Sequence, residues 1–290
     1  MRTEREQAWA KLNLALDVLD PLPDGYHGMR MIMLSCTLRD EVRVTLTPDG
    51  SFEAHSNLYY LPCDGRNITV KAAKLFFEEL GEKKFGVRVD MKKRIPVCAG
   101  LGGGSADAAA VLRALNRITG AGFTAGKLEE MGLRLGADVP FCVRGGTCLA
   151  EGRGEVLTRL PQAPDCGIVI CKPRFPISTP ELFSRIDARE RGGEPDMDSL
   201  CAAMADGDLP ALAAGMRNVF EQVLSPSHAE IFAIKRRLMD CGALGSLMTG
   251  TGSAVFGLFA DPEEAKKCAE ILSRDYRECF FAQPKDTVRV

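Results

Sequence analysis

Residues 95–110 read IPVCAGLGGGSADAAA. Ile95-Pro96-Val97 is a short apolar run that ends like a strand, and Gly100, Gly102, Gly103 and Gly104 follow it closely. Ser105 then opens a run rich in Ala and Leu, a strong helix former, that extends to about Thr119. Glycines this dense let the backbone approach a ligand and adopt φ > 0. A helix N-terminus behind them presents N–H groups and a partial positive charge at the same place. The combination is an anion site, and phosphate is the usual anion. The bland alternative is a glycine-rich turn that only lets a helix pack tightly.

The loop differs from its better-known look-alikes. No Lys-Ser or Lys-Thr follows the last glycine, so it is not a Walker A loop. Gly100-x-Gly102-x-x-Ser105 lacks the third glycine of the dinucleotide fingerprint and lies far from the N-terminus. No HRD or DFG follows, which excludes a protein kinase.

The 290 residues suffice for one large domain or two ordinary ones. Hydrophobic residues make up 46% and charged residues 26%, as in soluble globular proteins. A net charge of -2 leaves no electrostatic footprint for nucleic acid. The cluster Lys92-Lys93-Arg94 reads as a strand end or a nucleotide contact. The 11 cysteines include no CxxC pair and no His at ligand spacing. Cys98, Cys142, Cys171 and Cys241 stand in apolar surroundings and read as small core residues in a reducing cytosol. The N-terminus mixes charge with apolar residues, unlike a signal peptide, and no apolar run is long enough to span a membrane. The expectation is a cytoplasmic protein.

Along the chain, Ala8–Val18 reads as a strand, Pro21–Gly28 as a loop and Glu41–Leu46 as a strand with one exposed face. Asn67 is placed to cap a helix running to about Leu80, and Val87–Met91 reads as a strand. Thr124 is placed to cap a helix ending near Gly136. Gly146–Ala150 and Glu155–Thr158 read as a hairpin around Gly152-Arg153-Gly154. Composition changes near Pro161–Pro164, which suggests an N-terminal domain over 1–160 and a C-terminal domain over 161–290. The second part reads as a buried strand at Gly167–Cys171 and a mostly helical stretch from Thr179 to about Asp240. Apolar runs flanking Gly250-Thr251-Gly252, a helix at Pro262–Ser273 and a strand at Glu278–Ala282 complete it. The mixture lacks strict βαβ alternation and predicts an α+β protein.

Lys11 and Asn13 share one face of the first strand, opposite Leu12 and Leu14. They either have buried partners or line a solvated edge. Asp24-Gly25-Tyr26-His27 sets a turn beside an aromatic ring and an imidazole, although a lone loop His is usually a surface residue. Leu135-Gly136-Ala137-Asp138-Val139-Pro140-Phe141 places one carboxylate in an apolar setting, where it must be paired, capping a helix or working as a base. Gly250-Thr251-Gly252-Ser253 reads as a turn or as a second loop facing a ligand.

These pieces, in this order, resemble the GHMP kinase superfamily, which phosphorylates small metabolites with ATP. The resemblance rests on the strand with Lys11, on AGLGGGSADAAA and on MTGTGSAVFGLF, and it covers nearly the whole chain. DGYH, RNITVKAA, LGADVPF, AEGRGE and ISTPELF place it nearest the branch whose acceptor carries a cytidine diphosphate, in non-mevalonate isoprenoid synthesis. The implied fold is a ribosomal protein S5 domain 2-like N-terminal domain joined to a ferredoxin-like C-terminal domain.

By resemblance, Asp138 takes the proton of the acceptor's 2-hydroxyl, Lys11 keeps Asp138 ionised and orients that hydroxyl, and Asn13 binds substrate beside them. Tyr26 and Phe183 stack on the cytosine, and His27 reads its edge. Gly100, Leu101, Gly102, Gly103, Gly104 and Ser105 hold the ATP phosphates, with Asn67 and Lys93 by the adenine nucleoside. A side chain at Gly103 is expected to enter the phosphate path. Ala106 stands where a second serine is common, and no carboxylate matches the metal ligand of some superfamily members. Mg²⁺ is therefore expected to arrive with ATP, held by phosphates and water, with no protein metal site. The implied partners are small molecules, with no nucleic acid, no membrane and at most a weak homodimer.

A homoserine or mevalonate type of kinase is the alternative within the superfamily. A non-catalytic nucleotide-binding regulator would not need both Lys11 and Asp138. A Rossmann oxidoreductase lacks its acidic residue about 20 positions past the loop.

Overall fold

The computed structural model describes residues 2–23, 25–82, 85–188 and 192–286. Asp24 of the DGYH turn lies outside them.

The first strand, β1 (Thr3–Pro21), is far longer than its apolar stretch. Its charged start is carried by pairing with β2 (His27–Thr47), from Thr3↔Thr45 to Pro21↔His27. The ladder shifts register between Trp9 and Lys11 and again between Asn13 and Ala15. Lys11 and Asn13 thus stand between two irregularities, the kind of feature that re-aims side chains beside functional sites. β1 is an inner strand, flanked by β2 and the short β8 (Arg217–Asn218), so the solvated-edge reading of Lys11 and Asn13 is wrong. Both side chains are buried.

β2 absorbs the expected strand at 41–46 and begins at His27, inside the expected loop. Its first half, including Met29 and Met31 to Leu34, is buried on both faces and so shows no alternation to read. Next come β3 (Phe52–Ser56), α1 (Ile68–Leu80) and β4 (Gly86–Lys92), with β3 and β4 parallel. Asn67 caps α1 by accepting a bond from Thr69 N at 3.0 Å. The helix behind the glycine loop, α2 (Gly103–Thr119), begins two residues before Ser105. Thr124 caps α3 (Ala125–Leu133), which stops short of Gly136. α4 (Val139–Arg144) follows, its Pro140 tolerated in the first turn. The hairpin of β5 (Thr147–Glu151) and β6 (Val156–Arg159) falls within a residue of expectation.

Among the described residues these strands and β8 form one sheet, ordered β3-β4-β2-β1-β8, with β5 and β6 joined to β2. A second sheet holds β7 (Gly167–Lys172), β9 (Gly245–Met248), β10 (Val255–Phe259) and β11 (Glu278–Ala282), ordered β11-β7-β10-β9 and antiparallel. The expected helical stretch is broken into α5 (Thr179–Asp187), α6 (Met197–Asp206), α7 (Leu209–Gly215), β8 and α8 (Ala229–Asp240). α9 (Pro262–Leu272) packs on β7. The second part of the chain re-enters the first sheet twice. β8 runs beside Ala15–Leu16, and Thr37 N donates to Gln283 O at 2.8 Å.

All 11 cysteines are free thiols. Cys142 and Cys171 are buried as expected, but Cys98 is exposed and Cys241 only half-buried, because both lie in loops.

Candidate active site

The chain leaves β4 through Lys93-Arg94-Ile95 and turns sharply into α2. Cys98, Gly100 and Gly102 all have positive φ, of 53°, 74° and 67°. A Cβ on Gly100 would fall 2.1 Å from the Thr249 carbonyl oxygen, and one on Gly102 would fall 2.8 Å from Lys11 Cγ. These glycines are therefore required by neighbouring protein as much as by a ligand. A Cβ on Gly103 would meet Ile95 Cγ2 at 3.0 Å, so its side chain would enter the core and not the phosphate path as expected. Gly104 is the position that opens outward, with nothing nearer than Ile68 Cγ2 at 3.8 Å.

No side chain caps the N-terminus of α2, and its first turn carries no acidic residue. A helix of 17 residues concentrates positive potential there. Beside it lies a cleft of about 450 Å³, lined among others by Asn67, Lys93 and the whole run Gly100–Ser105. A larger groove of about 560 Å³, lined by Arg5, Arg43, His55 and neighbours, lies away from these residues on the exposed strand faces.

Lys11 reaches across the loop. Its Nζ donates to Asn13 Oδ1 at 2.7 Å and lies 3.6 Å from Asp138 Oδ2. Asp138 occupies the N-cap position of α4, yet its side chain makes no capping bond, which leaves the carboxylate to Lys11 and the cleft. Lys11 is 5% exposed and Asp138 34%, so the carboxylate is the accessible member. Asn13 N donates to Thr249 Oγ1 at 3.1 Å, and Asn13 Nδ2 to Met31 Sδ at 3.3 Å. A Cβ on Gly250 would fall 3.3 Å from Lys11 Nζ. The Gly250–Ser253 loop therefore closes on the Lys11 site. Thr249 was not singled out in the sequence, because a threonine at a strand end carries no signal of its own.

The aromatic residues fall differently from expectation. His27 stacks on Phe183 with ring centroids 5.1 Å apart, and Phe183 meets Phe220 edge-on at 5.1 Å. His27 Nε2 lies 2.7 Å from Asp187 Oδ1 at the end of α5. Tyr26 is exposed and lies under the Arg153 guanidinium, 5.2 Å away. The structure thus brings His27 and Phe183 together and leaves Tyr26 with a different neighbour.

Two family models match the chain, the GHMP kinases N terminal domain over residues 67–146 and GHMP kinases C terminal over residues 199–278. A 4-diphosphocytidyl-2-C-methyl-D-erythritol kinase of Clostridium botulinum (strain Eklund 17B / Type B) is 40% identical over 277 residues, which is 96% of this chain and 98% of that protein. The chain belongs to the 4-diphosphocytidyl-2-C-methyl-D-erythritol kinase family. The Acetivibrio thermocellus protein of the same name is also 40% identical, over 96% of this chain and 97% of its own. A crystal structure of 4-(cytidine 5'-diphospho)-2C-methyl-D-erythritol kinase matches with a TM-score of 0.80 at 33% identity, covering 97% and 99% of the two chains. Homoserine kinase from Cytophaga hutchinsonii reaches a TM-score of 0.77 at only 19% identity, with 99% and 96% covered, a likeness of fold alone. The chain is a small-molecule kinase with the GHMP kinase fold.

In this kinase Lys93 has a structural task. Its ammonium sits between Asp40, at 2.5 Å, and Asp107. Asp40 also accepts from the backbone of Arg94 and, at 2.8 Å, of Ile95. Burial alone would lower the Lys93 pKa, but the two carboxylates raise it above its usual value. Burial pushes the Asp107 carboxyl up to about 7; the Lys93 ammonium opposes this, and repulsion by Asp40 adds to it. Asp107 Oδ1 is buried without a partner and borders the cleft. Asn67 is likewise committed, accepting from Thr69 and donating to Pro62 O at 2.8 Å. Neither Asp40 nor Asp107 was singled out: Asp40 stands among charged strand residues and Asp107 in an Ala-rich helix, and each reads as a surface residue.

Gly104→Val fills the cleft without touching the core, and is expected to raise the KM for ATP more than that for the second substrate; equal losses would indicate misfolding. Asp107 retains in the folded state a proton that the unfolded chain releases, so its contribution to stability falls as pH rises from about 4 to about 7. Chemical denaturation across that range should show wild type losing stability relative to Asp107→Asn; a constant difference would mean Asp107 is ionised throughout.

Proposed function

We propose that this kinase transfers the γ-phosphoryl group of ATP to the 2-hydroxyl of 4-diphosphocytidyl-2-C-methyl-D-erythritol, a step of the non-mevalonate route to isopentenyl diphosphate. The observation that carries the mechanism is the Lys11–Asp138 pair beside the glycine loop, 3.6 Å apart. Asp138 takes the proton as the acceptor oxygen attacks the γ-phosphorus, and ADP leaves. Lys11, fixed by Asn13, orients that oxygen and faces the charge of the transferring group. The phosphates lie at the N-terminus of α2, where N–H groups meet them. Asn67 and Lys93 have their side chains bound to protein, so they shape the adenine end rather than grip it. Such catalysis is chiefly positioning and electrostatics.

Mg²⁺ neutralises phosphate charge when bound. Among the described residues no group of His, Cys, Asp and Glu is arranged to hold a metal. Among the described residues, the carboxylate lining the cleft is that of Asp107, whose Oδ1 is buried without a partner. This donor set fits an ion carried in by ATP and held by phosphates and water. We keep the division into an ATP-binding part, 1–160, and a C-terminal part, 161–290, working as a monomer or weak homodimer in the cytoplasm. No helix among the described residues is long and apolar enough to cross a membrane.

Cytosine selection falls to His27. A carboxylate only accepts hydrogen bonds, so Asp187 places the imidazole proton on Nε2 and leaves Nδ1 an acceptor in the neutral ring. An acceptor suits the exocyclic amine of cytosine and repels the O4 of uracil. Phe183, and Tyr26 once it swings from Arg153, supply stacking that any base satisfies.

Asp138→Asn is expected to lose about 10² to 10⁴ in turnover while retaining ATP binding. Lys11→Ala should be severe as well, and the double variant scarcely worse than the more damaging single. A coupled ADP-release assay reads both, and near-normal turnover by Asp138→Asn would remove it from the mechanism. Asp187→Asn replaces an acceptor-only partner of Nε2 with an amide that can donate as well as accept, so the tautomer is no longer fixed and the preference for cytidylyl over uridylyl substrate should narrow while kcat holds. An unchanged preference would assign edge reading to another group.

A further inference from the structure

We propose that Cys279 and Cys171 form a reversible disulfide under peroxide, a thiol modification site at the edge of the second sheet. The two are register partners on β11 and β7. Directly opposed residues share a sheet face. Cys279 Sγ donates to Ala269 O of α9 at 3.6 Å, which identifies that face as the one under α9. Opposed residues in an antiparallel pair have Cα atoms about 4.5 or 5.5 Å apart. Both values fall within the roughly 4.4–6.8 Å that disulfides span. Their Cβ atoms, at about 4.5–5.5 Å, are slightly farther apart than the ~3.5–4.5 Å of a relaxed bond. The bond therefore closes under mild strain, which makes it easier to reduce and places it among labile disulfides.

The two thiols differ in the way such a reaction needs. Cys279 is half-buried on an edge strand, and Cys171 is fully buried on the next strand. Their mutual hydrogen bond pushes the Cys171 thiol up, with burial adding to it, and draws the Cys279 thiol down. A half-buried sulfur with thiolate character beside a fully buried partner is the arrangement of redox-sensitive pairs. The Cys279 thiolate attacks a peroxide oxygen, so that an S–O bond forms, the O–O bond breaks and hydroxide leaves, becoming water with the proton that the thiol gave up on ionising. Cys171 then attacks the resulting sulfenic sulfur, an S–S bond forms, the S–O bond breaks and a second water leaves. Two thiols are oxidised and one peroxide is reduced. A second neighbouring pair, half-buried Cys241 and buried Cys268, is the internal competitor.

The experiment treats the folded kinase with hydrogen peroxide, alkylates the remaining thiols and maps peptides by mass spectrometry without reduction. Expected is the loss of two of the 11 thiols, a linked peptide pair holding Cys171 and Cys279, and full recovery with dithiothreitol. Cys171→Ser should leave Cys279 as a sulfenic acid captured by dimedone. The linked peptide is read in the wild-type chain, so a variant that fails to fold does not remove the test. A link between Cys241 and Cys268 alone would overturn the proposal. So would free Cys171 and Cys279 at a peroxide dose that oxidises the exposed Cys63 and Cys98.

Discussion

Gly100 and Thr249 approach so closely that a single added carbon on residue 100 would fall 2.1 Å from the facing carbonyl oxygen. Much of the site follows from that contact. The glycine loop is also held to β1, where Lys11 N donates to Leu101 O at 3.0 Å, and to the later turn, where Ala254 N donates to Ala99 O at 3.1 Å. Asn218 secures the turn by donating to Met248 O at 2.7 Å and Gly250 O at 2.8 Å, while its own backbone lies beside Leu16 in the first sheet. Backbone meets backbone here with no side chain as spacer, which is why glycine recurs on both loops.

The charges are arranged economically. Lys93 lies beside the cleft, yet Asp40 and Asp107 occupy its ammonium. The uncapped helix end beside the cleft offers backbone donors that are fixed in direction and cannot wander as a lysine can. Lys11, at the other side of the loop, is the ammonium kept near the Asp138 carboxylate. One lysine is tied between two buried carboxylates and the other faces a partly exposed one.

The glycine loop and its helix were legible because their signal is local: spacing of glycines, then helix formers. The Asn67 and Thr124 caps were legible for the same reason. What the sequence hid was set by partners far along the chain. β1 extends through charged residues because β2 pairs with them, and the first half of β2 has no alternation because both its faces are covered. The Lys11–Asp138 contact joins a bulged strand to a helix N-cap, and nothing in spacing forecasts it. A side chain at Gly103 looked set for the phosphate path by its place in the run, but the helix points that position toward Ile95.

The return of residues 283–285 to β2 has a consequence for how the chain is made. Thr37 bonds to Gln283 and Ser35 to Lys285 across most of the length of the polypeptide. During synthesis the N-terminal sheet emerges first, with its phosphate loop and Lys11 already in hand. Its β1 edge stays open until β8 appears, Gly100 lacks its counterpart until Thr249 does, and the flank of β2 waits for the last segment. A nascent chain therefore carries a half-built glycine-loop site until the turn at Thr249 has been made.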